Sequence, residues 1–329
     1  MTLSKRKKVM ILTGIMMLLA IVLLPMTGYI AIGFANTSDN QVVTQNSESD
    51  FWRKVRNNTK GYSAVTGQET NELIQGSGQN WRQLRNGPIA TYGSWLLGVT
   101  LATLALFYWW RGQVKLTQSR TGQTIERWTL NERRLHWFTA GLFIILAITG
   151  LSLLYGRVAL IPLFGYQGFS TYAAIAKLIH NFLGPVFMLA LLVMIIKWFG
   201  NNFLNRIDLQ WFKGFGGMIG DKHPSAEKMN GGEKIWFWSL VFIGLALCIT
   251  GLVLDFTNFG QERELIQTAH LIHVISALVL IAFAFGHIYI GTVGTEGALE
   301  GMVTGQVDEA WAKQHHDLWY AELQKNDDN

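Results

Sequence analysis

Five apolar runs, each close to the ~20 residues a helix needs to cross a bilayer, restrict this chain to very few folds. They cover residues 88–110, 136–155, 174–198, 235–254 and 270–292. In hydrocarbon a segment must pair its own backbone N–H and C=O groups, which a helix does within itself. The expectation is therefore an all-α integral membrane protein. Composition agrees, with 50% of the residues apolar and only 15% charged. Trp109 and Trp110, Trp198, and Trp236 with Trp238 stand at run ends, where interfacial aromatics belong.

The N-terminus has a basic stretch (Lys5 to Lys8), an apolar run from Val9 to Leu24, and small residues up to Ala35. This predicts a signal peptide over residues 1–35, with an uncleaved anchor as the alternative. Residues 36–87 read as an exported polar segment, with Phe51, Trp52, Tyr62 and Trp81 as docking aromatics. The apolar run from Pro88 to Trp110 then reads as an extra transmembrane helix. Residues 111–135 read as a cytoplasmic loop, 136–293 as a four-helix bundle, and 294–329 as a cytoplasmic tail.

Orientation follows from charge. Arg111, Lys115, Arg120, Arg127, Arg133 and Arg134 lie between the first two spans. Arg206, Lys213, Lys222, Lys228 and Lys234 lie between the third and fourth. The other two connections are poor in cations, so the positive-inside rule places the basic pair in the cytoplasm. The net charge of +5 is thus a topology signal and not a nucleic-acid footprint. The lone cysteine, Cys248, reads as a buried thiol and excludes an iron–sulfur site or a covalently attached c-type haem.

Histidines inside apolar spans are functional candidates, because a polar ring there needs a partner. Four qualify: His136, His180, His273 and His287. His273 and His287 are separated by about 21 Å of helix and by about 40° of phase, so they share a face. His270 is about 100° off the His287 direction and reads as an interfacial residue. With the orientation above, the four sort into two level pairs, His180 with His273 outside and His136 with His287 inside. Zinc would want three or four ligands at one depth, whereas two axial imidazoles per haem iron suit paired histidines. One turn after each candidate stands a small residue (Ala140, Gly184, Ala277, Gly291), leaving clearance for a flat macrocycle. His223, His315 and His316 read as surface residues.

From about residue 128 to 323 the sequence resembles the cytochrome b, or gamma, subunit of quinone-linked formate dehydrogenase. The matching stretches are RRLHWFTAGLFIILAITGLSLLY, KLIHNFLGPVF, KMNGGEKIWFW, LIHVISALVLIAFAFGHIYI and EGMVTGQVDEAWAKQHHDLWYAE. The resemblance implies a four-helix haem-binding transmembrane bundle with two haem b groups, ligated by His180 and His273 outside and by His136 and His287 inside. It also implies a quinone site, for menaquinone or ubiquinone, at Asn230, Gly232 and Glu233 beside His287, with Glu233 where the family has glutamine. The first 127 residues resemble only a longer variety of that subunit.

The implied role is an electron conduit in the bacterial inner membrane. Its implied partners are an iron–sulfur (beta) subunit and a molybdenum- or tungsten-dependent catalytic (alpha) subunit that oxidises formate outside the cytoplasm. The near alternative is an equivalent subunit of a hydrogenase or a sulfur-compound reductase. The distant one is a haem-free anchor or transporter.

Overall fold

A computed structural model describes residues 76–220, 223–257 and 259–327. The expected signal peptide (1–35), residues 36–75 and the aromatics Phe51, Trp52 and Tyr62 lie outside the described residues. Among the described residues, five helices are long and apolar enough to cross a membrane: Gly78–Arg111, Leu130–Ala159, Ile161–Asn201, Gly231–Asp255 and Arg263–Gly294. This is the all-α membrane architecture expected from the five runs.

Each helix extends beyond its apolar run, because hydropathy registers only the lipid-compatible part. Polar first turns are held instead by capping boxes, in which a side chain and a backbone N–H three residues apart satisfy each other. Thr129 and Glu132 form one at the start of α3 (Leu130–Ala159). Asn205 and Asp208 form another at α5 (Arg206–Lys213). Asn230 and Glu233 form a third at α6 (Gly231–Ser239). The first span is also longer than its run. Helix α1 (Gly76–Leu84) passes through a π-helical turn at Arg85–Ile89 into α2 (Ala90–Arg111). That turn contains Pro88 and a non-helical Gly87, as expected where proline removes a backbone donor. Near its start, α4 (Ile161–Trp198) is broken at Gly165, whose φ of 68° is left-handed and favours glycine.

The remaining elements are α7 (Leu245–Asp255), α8 (Arg263–Tyr289), α9 (Ala298–Thr304), α10 (Glu309–His315) and α11 (Asp317–Asp327), with strands β1 (Thr124–Glu126) and β2 (Gln306–Asp308). The chain divides into two compact units. One comprises residues up to Gly98, Ile145–Gly184 and Ile249–Ile275, and the other Val99–Ile144, Pro185–Cys248 and Ser276–Asn329. In the first, the fully buried Tyr155 donates to the Ala90 carbonyl at 3.0 Å, tying α3 to α2. Arg85 reaches the Leu153 carbonyl at 3.5 Å.

In the second unit, the segment after residue 294 is a folded cap. β1 and β2 pair antiparallel, with Ile125 opposite Val307. Val307, Trp311, Ala312 and Trp319 form a buried apolar cluster. Gly305 (φ 88°) ends α9, and a Cβ there would lie 2.7 Å from the Trp128 carbonyl oxygen, so only glycine fits. Arg127 is buried in an aromatic box, 4.8 Å from the Trp311 ring centre and 5.6 Å from that of Trp319, and pairs with Glu233 at 2.8 Å. Burial lowers the guanidinium pKa and Glu233 opposes that shift. Lys234, also fully buried, pairs with Asp208 at 2.9 Å and Glu227 at 3.0 Å. Two of the cations that set the predicted orientation, Arg127 and Lys234, are therefore interior groups held by ion pairs and, for Arg127, ring faces.

The cap corrects three sequence readings. His316 is 1% exposed, not on the surface, and its Nδ1 meets the Glu227 carbonyl at 2.6 Å. His315 and His223 are half-buried with ring centres 5.3 Å apart. The physical reason is the apolar face of the tail, which needs a partner and finds one against β1.

Burial first, then His223 and Arg127, push the His315 imidazole down to about 3. Burial first, then Arg127, hold that of His316 well below its ordinary value. Both are neutral in the folded cap, whereas an unfolded histidine takes up a proton near pH ~6.5. Below that pH the unfolded cap binds more protons than the folded one, so stability falls on acidification. Hydrogen-exchange protection of residues 298–327, corrected for intrinsic rates, is expected to be flat above pH ~7 and to drop from pH ~6.5 to ~5. Protection independent of pH over that window would contradict the buried-neutral assignment.

Candidate functional site

Helical phase and tertiary packing bring the four candidate histidines together as two pairs, one in each compact unit. The ring centres of His180 and His273 are 6.2 Å apart. Those of His136 and His287 are also 6.2 Å apart. His273 and His287 share the unbroken helix α8, and His136 and His180 come from α3 and α4.

The first pair is built from a repeated tetrapeptide. Ile148-Thr149-Gly150-Leu151 on α3 and Ile249-Thr250-Gly251-Leu252 on α7 present a hydroxyl and a glycine to the two histidines. Thr149 Oγ1 stands 2.8 Å from His180 Nδ1, and Thr250 Oγ1 stands 3.2 Å from His273 Nδ1. A Cβ on Gly150 would be 3.2 Å from His180 Cε1, and one on Gly251 would be 3.2 Å from His273 Cε1. Each glycine lets its helix approach an imidazole edge. The Thr149 hydroxyl donates back to the carbonyls of Ile145 and Leu146 at 2.9 and 3.1 Å. With its one hydrogen so placed, its oxygen accepts from His180 Nδ1–H, a tautomer that leaves the Nε2 lone pair for a metal. This tautomer follows from the hydrogen-bond network.

At the second pair, Trp236 lies flat on His287, with centres 4.8 Å apart and planes 12° apart. Trp137 stands edge-on to His136 at 5.1 Å and donates to the Met302 carbonyl at 2.9 Å. His136 Nδ1 is buried without a hydrogen-bond partner among the described residues. Trp236 is therefore not the interfacial aromatic its position at a run end suggested. Trp198 also departs from that reading, being 6% exposed and packed edge-on to Trp128 at 5.5 Å. Trp109 and Trp110 are 84% and 67% exposed.

The pairs were tested against the dimensions of a bis-imidazole metal site. With metal–nitrogen bonds of ~2 Å and ring centres roughly 1.2 Å behind each nitrogen, two imidazoles holding one iron from opposite sides would lie roughly 6.4 Å apart, centre to centre. Both pairs meet this spacing. At Gly184 and Gly291, one turn after His180 and His287, a Cβ would meet no atom within 4 Å, so those faces have room for a planar group. Among the described residues no cluster of three or more His, Cys, Asp or Glu is placed to hold a metal ion. Cys248 is buried, as expected.

The remaining site candidates have structural partners. Asn230 Oδ1 accepts from the Glu233 backbone at 3.0 Å, and Glu233 accepts from the Asn230 backbone at 2.9 Å and from Arg127. A Cβ at Gly232 would come 2.8 Å from the Trp211 ring. These residues fix where α6 begins, and α6 carries Trp236 to His287. The repeated I-T-G-L tetrapeptide is visible in the sequence, but its tie to the histidines depends on helix packing. The stacking of Trp236 had no local signal.

Residues 127–305 match the prokaryotic cytochrome b561 family, more than half of the chain. The chain belongs to that family. It is thus a multi-pass membrane cytochrome of b type, a family whose prosthetic group is haem b. Over 207 residues it is 31% identical to the cytochrome b556(fdo) subunit of formate dehydrogenase from Escherichia coli K12, covering 61% of this chain and 94% of that subunit. The nitrate-inducible cytochrome b556(Fdn) subunit of the same organism is 28% identical over 199 residues, 59% of this chain and 89% of that subunit. A formate dehydrogenase cytochrome b556 subunit from Haemophilus influenzae is 29% identical over 193 residues, 57% of this chain and 78% of that protein. Helices α1 and α2 lie outside the family match.

Outer hydrogen bonds of this kind typically change metal affinity 10–100-fold. Where His180 serves as a haem ligand, Thr149→Val should weaken haem retention by about tenfold, read by haem content during detergent washing, while Thr149→Ser retains it. Equal retention in the valine variant would show that the hydroxyl does not orient the ligand.

Proposed function

We propose that this cytochrome b is the membrane subunit of a formate dehydrogenase complex and carries electrons across the bilayer to a quinone. The observation that carries the reading is the 6.2 Å spacing of both histidine pairs, joined to the similarity to formate dehydrogenase cytochrome b556 subunits.

In this proposal His180 and His273 hold one haem b, and His136 and His287 hold another. Haem, when bound, supplies one-electron chemistry, and axial imidazoles set its potential. Thr149 and Thr250 keep the first two rings oriented, and Trp236 keeps His287 oriented. By the positive-inside rule the cation-rich connections favour the cytoplasmic side for His136 and His287, in a bacterial inner membrane. Electrons then enter near His180 and His273, from an iron–sulfur subunit served by a molybdenum- or tungsten-dependent catalytic subunit. They leave near His287 to menaquinone or ubiquinone. Because protons for the quinone come from the cytoplasmic side, the transfer is electrogenic.

The quinone site is placed beside His287, at the start of α6. Asn230, Gly232 and Glu233 serve it by holding that helix start and so the position of Trp236. Asn230 and Glu233 do so through the capping box, and Gly232 by admitting Trp211.

The test uses the purified complex with formate as reductant and a soluble quinone analogue as acceptor. His180→Ala or His273→Ala should remove one b-type component and abolish reduction of the other by formate, while dithionite still reduces the remaining haem. Asn230→Ala should slow quinone reduction with both haems still reduced by formate, and Asn230→Asp, which keeps the cap, should be close to wild type. Loss of both components in either histidine variant would refute separate sites. Unchanged quinone kinetics in Asn230→Ala would remove this pocket from the scheme.

A further inference from the structure

Helix α1 lies outside the family match, yet it delivers side chains to the neighbourhood of His273. The Trp81 ring stands edge-on to His270, with centres 5.3 Å apart and planes at 76°. His270 precedes His273 by three residues on α8, so the two share a helical face. The Trp81 indole Nε1 and the His270 Nδ1 are both buried, and neither has a hydrogen-bond partner among the described residues. Buried donors without acceptors are rare in native proteins and call for a specific explanation. Here two arise together, on different helices, in the unit that holds His180 and His273.

A cation stands one helical turn from Trp81. Arg85 follows Trp81 by four residues and reaches the Leu153 carbonyl at 3.5 Å. Lys177 precedes His180 by three residues, in the same relation that His270 bears to His273, and is exposed. Two indole and imidazole donors beside an arginine suit an acceptor-only anion such as a carboxylate. Haem b carries two carboxylates, its propionates, on the ring edge.

We infer that Trp81 and His270, supported by the charge of Arg85, form a carboxylate-binding site for the propionates of the haem held by His180 and His273. This rests on the reading of those histidines as a haem pair. Helix α1 then serves as an added clamp on that haem. Donors at the propionates offset negative charge next to the iron and favour the ferrous state, so removing one lowers the midpoint potential.

The experiment is a dye-mediated redox titration of the α-band in the purified complex, with His180→Ala identifying the other component. Trp81→Phe and His270→Phe each keep a ring and remove an N–H. Each should shift the ferric–ferrous equilibrium of this haem toward ferric by about tenfold, about 59 mV for one electron, and leave the other haem unmoved. His270→Asn, whose amide nitrogen stands in for Nδ1, should restore most of the potential. If a variant sheds this haem, haem affinity becomes the readout and the same rescue is required. Unmoved potentials, equal displacement of both haems, or no rescue by asparagine would overturn the clamp. A wild-type complex without b-type bands would instead overturn the haem reading on which it rests.

Discussion

An imidazole in hydrocarbon has two nitrogens to satisfy, and the structure around His180 and His273 follows from that requirement. One nitrogen of each ring is met by a threonine hydroxyl on a neighbouring helix. Those hydroxyls reach the rings because the next residue is glycine and the helices come close. In the proposed function the second nitrogen of each ring is the one that would hold a metal. At His136 and His287 the same spacing is reached by other means, with a flat tryptophan against one ring and an edge-on tryptophan against the other. Two constructions converging on 6.2 Å argue for one shared coordination chemistry.

The cap supports this indirectly. Arg127 packs among Trp128, Trp311 and Trp319 and pairs with Glu233, while Lys234 is buried on Asp208. These contacts, with the Asn230 capping box, fix the start of α6 and so the ring of Trp236 against His287. Breaking a buried pair by removing one partner typically costs ~3–5 kcal/mol, so the tail is mechanically part of the His287 site.

The spans and the four histidines were legible because hydropathy and helical phase are local properties. The helices start before the apolar runs because the first turns of α3 and α6 depend on caps at Thr129 and Asn230, which lie in polar stretches that hydropathy ignores. His316 was read as a surface residue because its burial is decided by strand pairing between segments about 180 residues apart. The stacking of Trp236 has no sequence signal for a related reason, since a tryptophan at a span end has the same local signature whether or not it lies on a neighbouring ring. The threonines escaped because their role appears only when a second helix is laid beside them.

The most direct measurement of the central claim is the haem b content per chain in the purified complex, by pyridine haemochrome against quantitative amino-acid analysis. The account predicts two haem b per chain, one for each histidine pair. A ratio of one or zero in a complex active with its partners would contradict it.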